Sequence, residues 1–234
     1  MQSIARTWFA GVGLVLLLAW PSSASAQTSL TVTAVSDYLF NGVSQTMGDP
    51  ALQASVDYAN EYGIYAGVWG SNVDFGEGTD WELDGYVGYA DLLNKSWGFD
   101  VGISAYTYYG VDTSSDINYE EIYAAINYAI AADTSAEARL WYAHDYAGTG
   151  AKHAIAALSV QHMLTEQLAL TLRLDRSYSL TPENFMWSPS NRGYNHVALG
   201  LGYQFYGFDV VVSAESTNLP TDNRHLLLSV SRSF

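Results

Sequence analysis

The sequence predicts an all-β fold, a closed antiparallel transmembrane β-barrel of about 12 strands with both termini periplasmic. Three observations carry that expectation. Apolar residues recur at every second position through most of the chain, and past the N-terminus no run approaches the roughly 20 apolar residues of a spanning helix. The connections between alternating segments are short and long in turn, as barrel turns and loops are. The chain also stops on an aromatic residue at the end of an alternating strand. There Leu226, Leu228, Val230, Arg232 and Phe234 share one face, and Leu227, Ser229, Ser231 and Ser233 the other.

The N-terminus sets the compartment. Arg6 is the only charge in the first 26 residues, an apolar stretch runs from Trp8 to Trp20, and Ala24-Ser25-Ala26 follows Pro21. This order is that of a secretory signal peptide, so residues 1–26 are expected to be cleaved and 27–234 to form the barrel domain. The remainder holds all 24 acidic residues but only eight of the nine basic ones, which argues against a nucleic-acid partner. With no cysteine to cross-link it, the domain must rely on its hydrogen-bonded ladder. Eighteen tyrosines and 20 glycines with few charges suit strands that are half apolar and half polar.

The strands are expected, in order, at about 28–40, 51–60, 63–75, 81–92, 97–109, 119–129, 135–146, 151–163, 167–178, 195–206, 208–217 and 225–234. The clearest alternations set Leu52, Ala54, Val56 and Tyr58 against Gln53, Ser55 and Asp57. Phe99, Val101 and Ile103 oppose Asp100, Gly102 and Ser104, and Leu168, Leu170, Leu172 and Leu174 oppose Thr171, Arg173 and Asp175. The alternation slips near Ser36 and again near 70–72, where a β-bulge would restore it. Short turns fall at 61–62, 93–96, 130–134, 164–166 and Gly207; long loops fall at 41–50, 110–118, 179–195 and 218–224. Aromatic residues sort to strand ends, with Tyr58, Phe99, Phe205, Phe208 and Phe234 at one level and Phe40, Phe75, Trp81 and Tyr109 at the other, as two headgroup girdles.

Ser36-Asp37-Tyr38-Leu39-Phe40-Asn41-Gly42-Val43-Ser44-Gln45-Thr46, with Gly48-Asp49-Pro50 after it, resembles the opening motif of the TorF porin family. Gly63 to Phe75 and Glu82 to Tyr89 are similar to its next motifs, and past residue 109 only the strand pattern continues. The resemblance implies a proteobacterial outer-membrane barrel and a pore, with no catalytic or ligand residue.

Assigning polar faces to the interior places Asp57, Glu82, Asp84, Asp100, Glu121, Glu137, Arg139, Asp145, His153, Arg173, Asp175 and Glu215 along the lumen. A wall of acids facing a few arginines would favour cations, as charged rings do in channels. Alternatively the charges pair and fill the lumen, because 12 strands lie between the filled eight-stranded barrel and the open 16-stranded porin. The loop 179–195 carries two prolines with Phe185, Met186 and Trp187, so Phe185 and Trp187 are candidates for a constriction at the mouth.

Catalytic signals are weak. His144 and Asp145 are adjacent and so point to opposite faces, no Gly-x-Ser-x-Gly elbow occurs, and His153 and His162 lack metal-ligand spacing. Asp74, Glu77 and Asp80 read as a solvated acidic loop. No cofactor is expected. The sequence therefore points to an outer-membrane diffusion channel for small hydrophilic solutes, with cation preference. The alternatives are a closed barrel acting through its loops and a lipid-acting barrel enzyme. The expected partners are lipid, lipopolysaccharide, and the barrel-assembly machinery that reads a terminal strand ending in Phe234.

Overall fold

Successive side chains of a strand point to opposite faces, so an alternating chain needs a sheet with one apolar and one polar side. Closing that sheet pairs every backbone group and leaves no edge. The computed structural model, which describes residues 27–234 apart from Glu77 and Asp222, has this form. The leader expected at 1–26 lies outside the described residues, as does the Glu77 of the acidic loop.

The elements are β1 (Gln27–Val35), β2 (Leu39–Phe40), β3 (Val43–Ser44), β4 (Ala51–Ala59), β5 (Ile64–Asn72), β6 (Thr79–Leu92), β7 (Trp97–Gly110), β8 (Tyr119–Ala131), β9 (Thr134–Ala143), β10 (His153–Met163), β11 (Leu168–Ser179), β12 (Gly193–Phe205), β13 (Phe208–Thr217) and β14 (Arg224–Ser233). Twelve of them, all but β2 and β3, form one closed antiparallel barrel in chain order, and β1 closes it by pairing with both β4 and β14. At the seam Thr31 lies opposite Ser233 and Val35 opposite Ser229, while Phe234 and Leu30 exchange backbone hydrogen bonds.

The first expected strand is corrected. It ends at Val35, and the slip at Ser36 is no bulge but the point where the chain leaves the wall. Residues 39–44 form a separate two-stranded hairpin whose turn residues, Asn41 and Gly42, have φ of 47° and 80°. Asn-Gly suits such a turn, because both central residues must take positive φ. At the other end of the barrel Tyr206 and Gly207, at 50° and 81°, connect β12 to β13 in the same way.

The outer wall is apolar. Leu52, Val56, Val87, Val101, Ile122, Leu140, Leu158, Leu172, Leu199, Val212 and Leu228 are all exposed on it. Trp81 and Tyr109 sit exposed towards the long loops, and Tyr58, Phe205, Phe208 and Phe234 towards the short turns. Arg232 lies over the rings of Phe208 and Phe234, 5.0 and 4.9 Å from their centroids. Phe40 and Phe75 do not join the outer girdle. Both are partly buried inside, edge-on to Tyr106 and Tyr108, because the segments carrying them fold inward.

Candidate functional site

The inner wall is built on glycine–tyrosine pairs. Tyr65 lies opposite Gly88, Gly67 opposite Tyr86, and Gly102 opposite Tyr123. A Cβ on any of these three glycines would collide with the ring across from it. Each tyrosine therefore lies along the wall instead of across the lumen. These pairs account for three of the 20 glycines, while nine others take positive φ among the described residues. The hydroxyls then reach acids. Tyr65 Oη donates to Asp100 Oδ1 at 2.5 Å and sits 2.6 Å from Tyr123 Oη, and Tyr86 Oη donates to Asp57.

Charges run as a belt from β7 to β13. Arg139 reaches past Tyr123 to Asp100 at 2.9 Å and holds Glu137 on its own strand at 3.0 Å. Trp141 lies between Arg139 and Arg173, with each guanidinium 5.6 Å from its ring centroid. Arg173 binds Asp175 at 2.8 Å; His196 sits 2.8 Å from Asp175 through Nδ1 and 3.0 Å from Glu215 through Nε2. Asp100 is 0 % exposed, so its charge depends wholly on these partners.

A second, acidic sector lies towards the long loops on β6 to β8. Glu82 accepts from Tyr38 at 2.7 Å and from Tyr108 at 3.0 Å, and Glu121 accepts from Tyr106 at 3.1 Å. Tyr106 and Tyr119 stack at 4.6 Å, and Tyr119 meets Tyr146 edge-on. Asp84 is buried beside them. No arginine, lysine or histidine among the described residues forms an ion pair with Glu82, Asp84 or Glu121.

The hairpin β2–β3 bridges the two sectors. Tyr38, 1 % exposed, donates to Glu82 on β6. Asn41 accepts from Arg173 at 2.7 Å on its side chain and from Tyr194 at 3.1 Å on its carbonyl. β6 and β11 are five places apart in the ring of 12, so the hairpin crosses close to a diameter. Asp37 ties its base, accepting from Ser44 at 2.7 Å and Thr46 at 3.0 Å, with His225 3.4 Å away. At Gly42 a side chain would strike His196 and Thr217. Towards the short turns the inner wall is more open, and Ser55, Asp57, Glu137, Ser159, Asp209 and Ser231 are only half-buried there.

Of the lumen candidates, Glu82, Asp84, Asp100, Glu121, Arg139, His153, Arg173, Asp175 and Glu215 are buried, and Asp57 and Glu137 half-buried, on the inward side of their strands. Asp145 is a correction. β9 ends at Ala143, so Asp145 lies in the following loop, exposed, where its Oδ1 accepts the Gly150 N–H at 2.6 Å. Phe185 and Trp187 do fold inward, against Tyr146, and Trp187 donates to His153 Nε2 at 3.3 Å. They cover the β9–β12 side, whereas the diametric crossing belongs to the hairpin. The residues sequence reasoning missed are Tyr38, Asn41, His196 and His225. Asn41-Gly42 carried a hairpin signal, and His196 has the same parity along its strand as buried Tyr194. Among the described residues no group of three His, Cys, Asp or Glu side chains is placed to hold a metal ion.

No curated protein matches this chain. Solved structures share its fold. The KdgM porin in complex with disordered oligogalacturonate has a TM-score of 0.63 at 10% identity, covering 88% of this chain and 99% of that one. The NanC porin has 0.58 at 10% identity, covering 88% and 98%. The Pseudomonas putida toluene transporter TodX has 0.53 at 9% identity, covering 100% and 94%. All three are porins or transporters, and none is an enzyme. Residues 19–206 match the family described as bacterial protein of unknown function (Gcw_chp), and the chain belongs to that family.

Proposed function

We propose that this protein is a porin-type channel of the bacterial outer membrane for small hydrophilic solutes, cation-preferring and constricted by the hairpin at 39–44. One observation carries the reading: a closed 12-stranded barrel has an apolar outer wall, a charged inner wall, and rings laid flat along that inner wall. The polar residues only half-buried towards the short turns support an aqueous path through the wall's interior. The resemblance of residues 36–109 to the TorF porins supports the same reading. In this reading residues 1–26 direct export, the assembly machinery reads the strand ending in Phe234, the short turns are periplasmic, and lipopolysaccharide surrounds the long loops. The lumen acids exceed its bases, which favours cations. Oligogalacturonate, bound by KdgM, is a polyanion, so that cargo does not carry over to an acidic lumen.

The aromatic packing beneath the long loops favours a second reading, a barrel closed at rest that acts through its loops. Planar-bilayer recording separates the two. The refolded 27–234 protein is expected to give small cation-selective steps. A variant with residues 37–49 replaced by a short Gly-Ser link is expected to give steps several-fold larger. No step in either protein, at any voltage, would sink the channel reading. Anion-selective reversal potentials would refute the assignment of the acids to the conducting path.

A further inference from the structure

The outer wall of β10 to β14 changes character abruptly at its long-loop end. Along β11 the outward residues are Leu168, Leu170, Leu172 and Leu174, and the next is Arg176. Arg176 donates to Asn195 on β12 at 2.8 Å. Tyr178 follows on the same face, and the guanidiniums of Arg176 and Arg192 each lie 5.3 Å from its ring centroid. Lys152 is joined to this rim through the backbone of Leu180, and Arg224 opens β14 two strands beyond β12. All four basic side chains are exposed, and no ion pair joins Lys152, Arg176 or Arg192 to a carboxylate among the described residues. The opposite rim, on β5 to β8, presents Asp74, Asp80, Asp112, Asp116 and Glu120, whereas on the basic side Asp145 and Glu183 are the exposed acids of the adjoining loops among the described residues.

This is a notable reversal in a chain of formal charge −15, where Lys and Arg number only nine. Diffuse solubilising charge would be acidic here, as it is across the barrel. A strip of cations directly above an unbroken apolar wall has the polarity of an anionic amphiphile turned inside out. Adjacent strands lie about 4.8 Å apart, so the strip from β10 to β14 is roughly 20 Å wide, room for more than one phosphate. The Tyr178 ring contacts both guanidiniums and so fixes their spread. Guanidinium forks suit phosphate oxygens and lose little by partial desolvation at a headgroup.

We propose that Lys152, Arg176, Arg192 and Arg224, with Tyr178 and Asn195, form a specific site for the phosphorylated diglucosamine headgroup of lipopolysaccharide, its acyl chains lying on Leu172, Leu174 and Val197 below. The proposal rests on the reading of the barrel as an outer-membrane protein with its long loops outward. It gives the barrel a lipid-anchored face and an acidic face that reaches the same leaflet only through divalent cations.

Native mass spectrometry of the refolded 27–234 protein in detergent tests it. The probes are bis-phosphorylated lipid A, the same lipid dephosphorylated, and inorganic pyrophosphate. The wild type is expected to retain the phosphorylated lipid at least tenfold better than the dephosphorylated one. Arg176→Gln with Arg192→Gln is expected to abolish that preference, while Asp112→Asn with Asp116→Asn on the opposite rim keeps it. Arg192→Gln alone, in a loop position, covers the case where the double variant fails to fold. Equal retention of the two lipids, or undiminished preference in the Arg variants, overturns the proposal. So does pyrophosphate binding of equal strength, which would mark a free-phosphate site. Bilayer recordings on the same preparations keep the two readings apart. Phosphate-dependent lipid retention without conductance removes the channel alone, and conductance without lipid discrimination removes this site alone.

Discussion

The two sectors of the inner wall face the same problem, a charge taken out of water, and solve it differently. Along β7 to β13 the buried acids meet bases: Asp100 has Arg139, Asp175 has Arg173 and His196, and Glu215 has His196. Along β6 to β8, Glu82 and Glu121 meet only tyrosine hydroxyls. Ion pairing meets a buried charge with its opposite and fixes geometry, while a neutral hydroxyl satisfies an acid's oxygens without supplying a counter-charge. The belt is thus a brace, while the acids of the second sector are held by hydroxyls alone. The hairpin takes one anchor from each, Glu82 through Tyr38 and Arg173 through Asn41.

The belt is most sharply tested where it has no redundancy. Arg139→Met leaves Asp100 buried beside a tyrosine hydroxyl and no cation, and is expected to cost about 3–5 kcal/mol in urea unfolding of the refolded barrel. Arg173→Met is expected to cost less, about 1.5–3 kcal/mol, because His196 still holds Asp175. Equal losses at the two sites would mean that the belt does not share its charges as its distances indicate.

The outer wall gives the next test, because arginine occurs there only near its two ends, at Arg176 and Arg224 and at Arg232. Leu170→Arg puts a cation at mid-wall and is expected to lose about 2–4 kcal/mol of folding free energy. Arg176, six residues along the same face, is tolerated because it reaches the headgroup level. A negligible loss at Leu170 would mean that this wall does not face lipid.

The barrel was legible because its signals are local and repeated: parity along each strand, turn length, and an aromatic at the end. Parity alone placed Glu82, Arg139 and Arg173 inside. It fails at Asp145, because β9 ends at Ala143, and at Phe40 and Phe75, because the segments carrying them leave the wall. The site was less legible because its partners are distant in sequence. Nothing local ties Asn41 to Arg173 or Tyr38 to Glu82, and the Gly–Tyr pairs depend on register, which alternation does not fix.

The smallest expected effect separates the hairpin's two side-chain anchors, the backbone bond from Tyr194 to Asn41 being kept in both variants. Tyr38→Phe removes one hydrogen bond, but Glu82 keeps Tyr108 as donor and the ring keeps its edge contact with Trp69. Stability should fall by only about 1 kcal/mol. In Asn41→Ala, Arg173 loses a charge-assisted bond on a buried head, and the loss should be about 1.5–3 kcal/mol. If the hairpin is a rigid bridge, either change should leave conductance near that of the wild type, because the remaining anchor holds it across the lumen. If it swings as a gate hinged at Asp37, Asn41→Ala should free the tip and approach the conductance of the 37–49 deletion, while Tyr38→Phe, nearer the hinge, should not. Single-channel steps and urea midpoints on the same two variants therefore decide whether the two sectors are braced by the hairpin or merely touched by it.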